Sequence, residues 1–135
     1  HSGYLNDYNT IIYGHNMKDG SMFHSIKNYA SQSYYEEHPY IWYVTPEANY
    51  VLYVIAGFVA SIDYDGYYPV ESEEQVQELL HDALYYSDFT ADYVMDGLTA
   101  DEIVSNAKRM VMLSTCSYEF NNARYVVVAV PLLAN

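Results

Sequence analysis

The chain has 135 residues, with 18 acidic residues against five lysines and arginines and a formal net charge of −13 at pH 7. This length suits one domain with its own core, and the negative charge makes nucleic acid and anionic membrane surfaces poor partners because both would repel it. One cysteine excludes an internal disulfide, and without a zinc-type Cys/His cluster no metal or other cofactor is expected.

The first predicted elements are a strand and two short helices. Asn9–Tyr13 is a β-branched run that predicts a strand ending beside His15. Ser21 is suited to cap a helix that runs to about Ala30, and the spacing Ser33-x-x-Glu36 predicts a capping box for one further helical turn. The strand would therefore deliver a histidine to its end, ahead of two surface helices.

A hairpin is predicted next. Tyr40–Thr45 and Tyr50–Ile62 are β-branched and aromatic runs separated by a proline-containing turn. The second run contains a single glycine, Gly57, which is a candidate position for a bend or bulge.

Helices and a second pair of strands fill the rest of the chain. Ser72-x-x-Gln75 predicts a capped helix whose apolar residues recur at helical spacing, and Thr99-x-x-Glu102 predicts a shorter one. Met110–Thr115 and Tyr125–Val130 are apolar runs of strand length, and Cys116 follows the first of them. Consecutive strands with inserted helices favour a single, mainly β domain over residues 1–135, an antiparallel barrel or sandwich with peripheral helices.

The single cysteine and its neighbours suggest thiol chemistry. Cys116 is a useful nucleophile only as a thiolate, which requires a nearby group that lowers its pKa. His15, at a predicted strand end, and Arg124, at the start of the following strand, are the candidate proton carrier and oxyanion donor. Residue types alone leave a plainer interpretation open, with a buried structural cysteine, a structural histidine and a surface arginine.

Three segments resemble the signatures of class B sortases in order and spacing. They are Gly14–Met17 with Ser21–Phe23, then Leu113–Cys116, then Asn122–Val127. The resemblance runs from about Asn6 to the end of the chain. It implies a sortase-type antiparallel β-barrel in which Cys116, His15 and Arg124 meet at one end of a groove.

The resemblance also implies a reaction. In sortases the cysteine attacks the Thr carbonyl of a C-terminal sorting signal, releases the tail and holds the acyl group as a thioester, which an amine of the cell wall or of a pilin lysine then resolves. Cys116 would be the nucleophile, His15 the proton carrier and Arg124 the clamp for the carbonyl and oxyanion. Ser114 matches a substrate-contacting position of the family, and residues Tyr85–Tyr93 are expected to help select the sorting signal.

Location and assembly follow from the same resemblance. Family members act at the extracellular face of the cytoplasmic membrane of Gram-positive bacteria. Their membrane anchor, N-terminal helices and first strands would precede Asn6, so the barrel is expected to be truncated here, with open strand edges that allow self-association.

Two other functions stay open. A cysteine peptidase would use similar thiol chemistry but only hydrolyse its substrate. A truncated sortase fragment could instead retain the fold without turnover and act as an acidic, tyrosine-rich binding module. The dependence of the products on an added amine separates the transpeptidase from the peptidase, and the reactivity of Cys116 separates both from the inert module.

Overall fold

A computed structural model of the chain describes residues 7–13, 26–61, 63–114 and 123–134. These residues form a five-stranded sheet with helices packed on both faces. The strands are β1 (Asn9–Tyr13), β2 (Tyr40–Val44), β3 (Asn49–Ser61), β4 (Met110–Ser114) and β5 (Ala123–Ala134). All five predicted strands are present, and β5 is longer than expected.

The strand order across the sheet is β1-β4-β5-β3-β2. The pairs β4·β5, β5·β3 and β3·β2 are antiparallel, whereas β1 and β4 run parallel. The predicted mainly β architecture with peripheral helices is therefore confirmed, with one parallel pair at its edge. In the described part of the chain the sheet is open, and its edges are β1 and β2.

Both faces of the sheet are buried, which explains why the central strands are almost wholly apolar. Along β4, Met110 and Met112 face one hydrophobic cluster while Val111 and Leu113 face the other. In β3 this alternation changes between Val54 and Ala56, where the register with β5 shifts. The extra residue between Val54 and Ala56 forms a β-bulge shortly before Gly57. The predicted bulge is therefore present, although it is not at the glycine.

Helices cover the two faces. The 3-10 helix η1 (Ile26–Ala30) and the helix α1 (Gln32–Glu37) precede β2. The 3-10 helix η2 (Asp65–Tyr67) and the helices α2 (Glu73–Tyr86) and α3 (Ala100–Ser105) lie between β3 and β4. Among these, α2 and α3 bury their apolar residues in the same cluster as Met110 and Met112.

The helix caps correct one prediction and refine another. Ser31 caps α1 by accepting a hydrogen bond from the Tyr34 amide, so the predicted Ser33-x-x-Glu36 capping box is wrong. Both serines can cap a helix, but Ser31 stands before the first helical residue with an extended backbone, whereas Ser33 lies inside α1. The α3 capping box is complete as predicted, whereas at α2 the Gln75 side chain accepts from the Glu71 amide instead of completing the box at Ser72. Ser21, the other predicted cap, lies outside the described residues.

Residues 87–93, the segment after α2, are held against the open edge of β3. Ser87 accepts a hydrogen bond from the Gly57 amide at 3.1 Å, and the Asp88 amide donates to the Gly57 carbonyl at 2.7 Å. Phe89 is buried and stacks on Tyr35 with ring centroids 4.4 Å apart. The segment therefore covers backbone groups that β2, which ends its pairing at Tyr53, leaves open.

Candidate functional site

Three strand termini meet at one end of the sheet. This edge runs across the strands and is distinct from the side edges formed by β1 and β2. Tyr13, the last residue of β1, is the register partner of Ser114, the last residue of β4. Ser114 in turn pairs with Val126 of β5, so Arg124 lies near the start of β5 at this same edge. Because β1 and β4 are parallel and β5 runs the opposite way, the ends of two strands and the start of a third are brought together.

This edge is where the predicted catalytic residues leave the sheet. His15 follows Tyr13 by two residues, and Cys116 follows Ser114 by two residues. Both lie outside the described residues, so their roles stay predictions. Of the predicted site, the structure describes Ser114 and Arg124 and brings both to the edge from which the other two residues continue.

Ser114 is fully buried and hydrogen-bonded to a residue that the sequence did not single out. The Tyr67 hydroxyl lies 2.9 Å from Ser114 Oγ, and either atom can be the donor. Burial raises the pKa of Tyr67, while the Ser114 hydrogen bond and the Arg124 charge oppose the rise and Tyr13 adds to it. The Arg124 charge and the Tyr13 phenol therefore both act on the Tyr67 phenol.

Tyr67 belongs to η2, which is fixed to the sheet at a second point. Asn9 Nδ2 donates a hydrogen bond to the Gly66 carbonyl at 2.9 Å. A Cβ at Gly66 would lie 2.7 Å from Met112 Sδ and 2.4 Å from the Tyr64 ring, so the backbone approaches β4 as only glycine allows. The Asp-Gly pair at 65–66 was the only local sequence signal for this turn, and nothing in the sequence pointed to its contact with Ser114.

A groove leads away from Tyr67 along β1. Its volume is about 450 Å³, and one wall is β1 while the other is the segment that follows η2. The lining residues combine aromatic, apolar and hydrogen-bonding side chains: Asp7, Tyr8, Asn9, Ile11, Tyr67, Tyr68, Pro69 and Val70. This mixture is typical of ligand pockets, and Ser114 and Arg124 are not among the lining residues.

The described residues contain no group of three or more His, Cys, Asp or Glu side chains arranged to hold a metal ion. None of their helices has both the length and the apolar character that crossing a membrane requires.

Comparisons with known proteins were made on both sequence and structure. The model of the sortase domain family matches residues 3–132. Sortase B of Listeria monocytogenes is 33% identical over 123 residues, which is 90% of this chain and 47% of the relative. Sortase B of Staphylococcus aureus is 30% identical over 127 residues, which is 91% of this chain and 48% of the relative. The chain thus spans about half the length of the curated relatives it matches.

Solved structures agree with this result. A crystal structure of Staphylococcus aureus sortase B superposes with a TM-score of 0.72 at 26% identity, covering 96% of this chain and 58% of that one. Clostridium perfringens sortase B gives a TM-score of 0.70 at 25% identity, covering 94% and 67%. The resemblance to class B members is thereby confirmed, and the chain belongs to the sortase family.

Proposed function

We propose that residues 1–135 belong to the catalytic domain of a cysteine transpeptidase, with Cys116 as nucleophile, His15 as proton carrier and Arg124 as electrostatic clamp. The observation that carries the proposal is the strand register that brings Tyr13, Ser114 and Arg124 to one edge. A nucleophile and a proton carrier two residues beyond Ser114 and Tyr13 would then start from neighbouring positions, with a cation beside them.

The chemistry has two steps. The Cys116 thiolate forms a bond to the carbonyl carbon of the sorting signal, and the carbon–nitrogen bond breaks as His15 gives its proton to the leaving amine. An incoming amine then attacks the thioester and gives a proton to His15, and the sulfur leaves as thiolate. Arg124 stabilises the oxyanion that forms in each step, because a fixed cation costs no rearrangement when the charge develops.

Two kinds of partner are proposed, a sorting-signal peptide and an amine acceptor. One related structure is a Staphylococcus aureus sortase B–substrate complex, and another is sortase B with Gly3. In this chain the strand ends that hold Arg124 are the proposed site for the peptide carbonyl. Contact of the substrate with Ser114, whose side chain is buried, remains a prediction. Cleavage after Thr, and a choice between a cell-wall and a pilin amine, remain predictions, as does action at the outer face of the membrane of a Gram-positive cell.

Self-association through open strand edges also remains a prediction. The edge strand β2 exposes Tyr40, Trp42 and Val44, and the exposed fraction of Trp42 is 56%. An apolar edge strand of this kind favours pairing with another copy. Sedimentation velocity over a concentration series measures it, and a monomer at every concentration would rule it out.

The central experiment is incubation of the chain with a panel of sorting-signal peptides and either glycine-type or lysine-type amines, with mass spectrometry of the products. We expect amine-linked product from the wild type, none from Cys116→Ala, and a loss of roughly 100-fold or more for Arg124→Ala, as for removal of an oxyanion donor. Lys108→Ala is the matched control, because Lys108 is an exposed cation that precedes β4, at the opposite end of that strand from Ser114. Cleavage by water alone would identify a peptidase instead, and an unreactive Cys116 would identify an inert module.

A further inference from the structure

The 3-10 helix η2 is linked by hydrogen bonds to both strands that lead to the predicted catalytic residues. Asn9 of β1 donates to the Gly66 carbonyl at 2.9 Å, and Ser114 of β4 shares a hydrogen bond with Tyr67 at 2.9 Å. Asn9, Tyr13 and Ser114 lie on the same face of the β1·β4 pair, because cross-strand partners share a face. We call Asn9, Gly66, Tyr67 and Ser114 together the η2 clamp.

The edge position of β1 makes such a link useful. Among the described residues β1 pairs with one strand only, β4, and in parallel register. Parallel pairing is slightly weaker per residue than antiparallel pairing, and a shift of one residue would turn every side chain of β1 to the other face. A third element that bonds both strands resists that shift, because sliding β1 would break the Asn9–Gly66 hydrogen bond.

The clamp also acts at the catalytic end of the strands. The Ser114 side chain is fully buried, so its orientation depends on the groups around it, and the Tyr67 hydroxyl is one of them. Burial raises the pKa of Tyr67, so its phenol keeps its proton near neutral pH and stays available as donor or acceptor. Gly66 packs closely on Met112, so η2 lies directly against β4.

We propose that Tyr67 is a positioning residue for the reaction, which holds the end of β4 in register with the end of β1 through Ser114 as part of the η2 clamp. The effect of the clamp on turnover rests on the proposed function, whereas its effect on the geometry of the strand ends does not. Tyr67 acts on the geometry of the strand ends, and its effect on turnover passes through Ser114.

The test combines turnover with the reactivity of the only cysteine in the chain. For Tyr67→Phe we expect kcat to fall by roughly tenfold, the loss that one hydrogen bond supports, with KM for the peptide within about twofold of the wild type. The pH midpoint of Cys116 alkylation by iodoacetamide, a neutral reagent, should differ from that of the wild type, because the end of β4 that leads to Cys116 is no longer held in place. Tyr34→Phe is the control, because Tyr34 is half-buried on the opposite face of the sheet and should leave both readouts unchanged.

A second variant separates the clamp from a local effect at Tyr67. Asn9→Ala breaks the other link, and Asn9→Ala with Tyr67→Phe should cost no more than the larger single change, because both remove the same constraint. Thermal unfolding is measured on each variant so that loss of fold is recognised. A rise in KM alone, full additivity or an unchanged alkylation midpoint would overturn the clamp.

The two proposals fail in different ways. If the wild type forms no amine-linked product but the alkylation midpoint still shifts in Tyr67→Phe, the proposed function fails and the clamp stands. If product forms but the variants match the wild type in kcat and in alkylation, the clamp fails and the proposed function stands.

Discussion

Gly57 is the residue at which the sheet and the segment after α2 approach most closely. A Cβ at this position would lie 2.6 Å from the Tyr125 hydroxyl, 3.1 Å from the Phe89 ring and 3.3 Å from Tyr29 Cβ. The Tyr125 hydroxyl in turn donates to Asp88 Oδ2 at 3.2 Å. The glycine is therefore required by space, since its backbone conformation is ordinary for a strand and its Cβ position is occupied.

We expect Gly57→Ala to lower the free energy of unfolding by about 1–3 kcal/mol, the usual cost of overpacking a core. The added methyl group must displace Tyr125 or Phe89, which loosens the contact between residues 87–89 and β3. Urea denaturation measures the change. The matched variant Gly57→Ala with Tyr125→Phe removes the nearest clashing atom and should recover part of the loss, whereas equal stability of Gly57→Ala and wild type would contradict the packing argument.

At the scale of elements, residues 87–93 depend on a small set of polar contacts. Gln32 of α1 makes two hydrogen bonds with Thr90, accepting from its amide at 2.7 Å and donating to its carbonyl at 3.0 Å. The Tyr35 hydroxyl accepts from the Tyr93 amide at 3.1 Å, and the Tyr53 hydroxyl donates to the Tyr93 carbonyl. Four backbone groups of the segment are thus bonded to side chains of α1 and β3.

We expect Gln32→Ala to loosen this segment selectively. The amides of Thr90 and Tyr93 should exchange their hydrogens faster, by roughly 30-fold, because two hydrogen bonds worth about 1 kcal/mol each are lost and local opening scales with that loss. Hydrogen exchange with mass spectrometry measures this, and Ser33→Ala on the same helix is the control. If the segment helps to select the sorting signal, the same variant also changes peptide preference, and unchanged preference with faster exchange would exclude that role.

The elements that the sequence predicted best are those with local signals. The apolar spacing of α2 and the Thr99–Glu102 box were sufficient to place two helices, and β-branched runs placed the strands. The parallel pairing of β1 with β4 and the contact of Tyr67 with Ser114 were not predictable, because each joins residues far apart in the chain and no local pattern encodes such a pairing. Among the predicted site residues, Ser114 and Arg124 lie at the same end of the sheet. Their roles, like those of Cys116 and His15, rest on the family resemblance.

Across the whole molecule, several tyrosine side chains are buried in the interior. Tyr29, Tyr53, Tyr64 and Tyr125 all have a pKa raised mainly by burial, because the charged phenolate is poorly solvated inside the protein. An acid whose pKa is higher in the folded state binds more protons folded than unfolded. Its contribution to stability is therefore fully present below the unfolded pKa of about 10 and is lost as pH rises above that value.

We expect the free energy of unfolding to fall steeply above about pH 10, with each such tyrosine adding a slope of about 1.4 kcal/mol per pH unit until its folded pKa is reached. Urea denaturation at a series of pH values measures the slope, and the absorbance of tyrosinate should rise together with unfolding. Tyr64→Phe should reduce the slope at little direct cost, since the buried Tyr64 hydroxyl has no hydrogen-bond partner among the described residues. Tyr85→Phe is the control, because the Tyr85 side chain is 86% exposed. Stability that stays level through this range would mean that the buried phenols reach solvent without unfolding, so the tyrosine-rich interior would be open to hydroxide while folded.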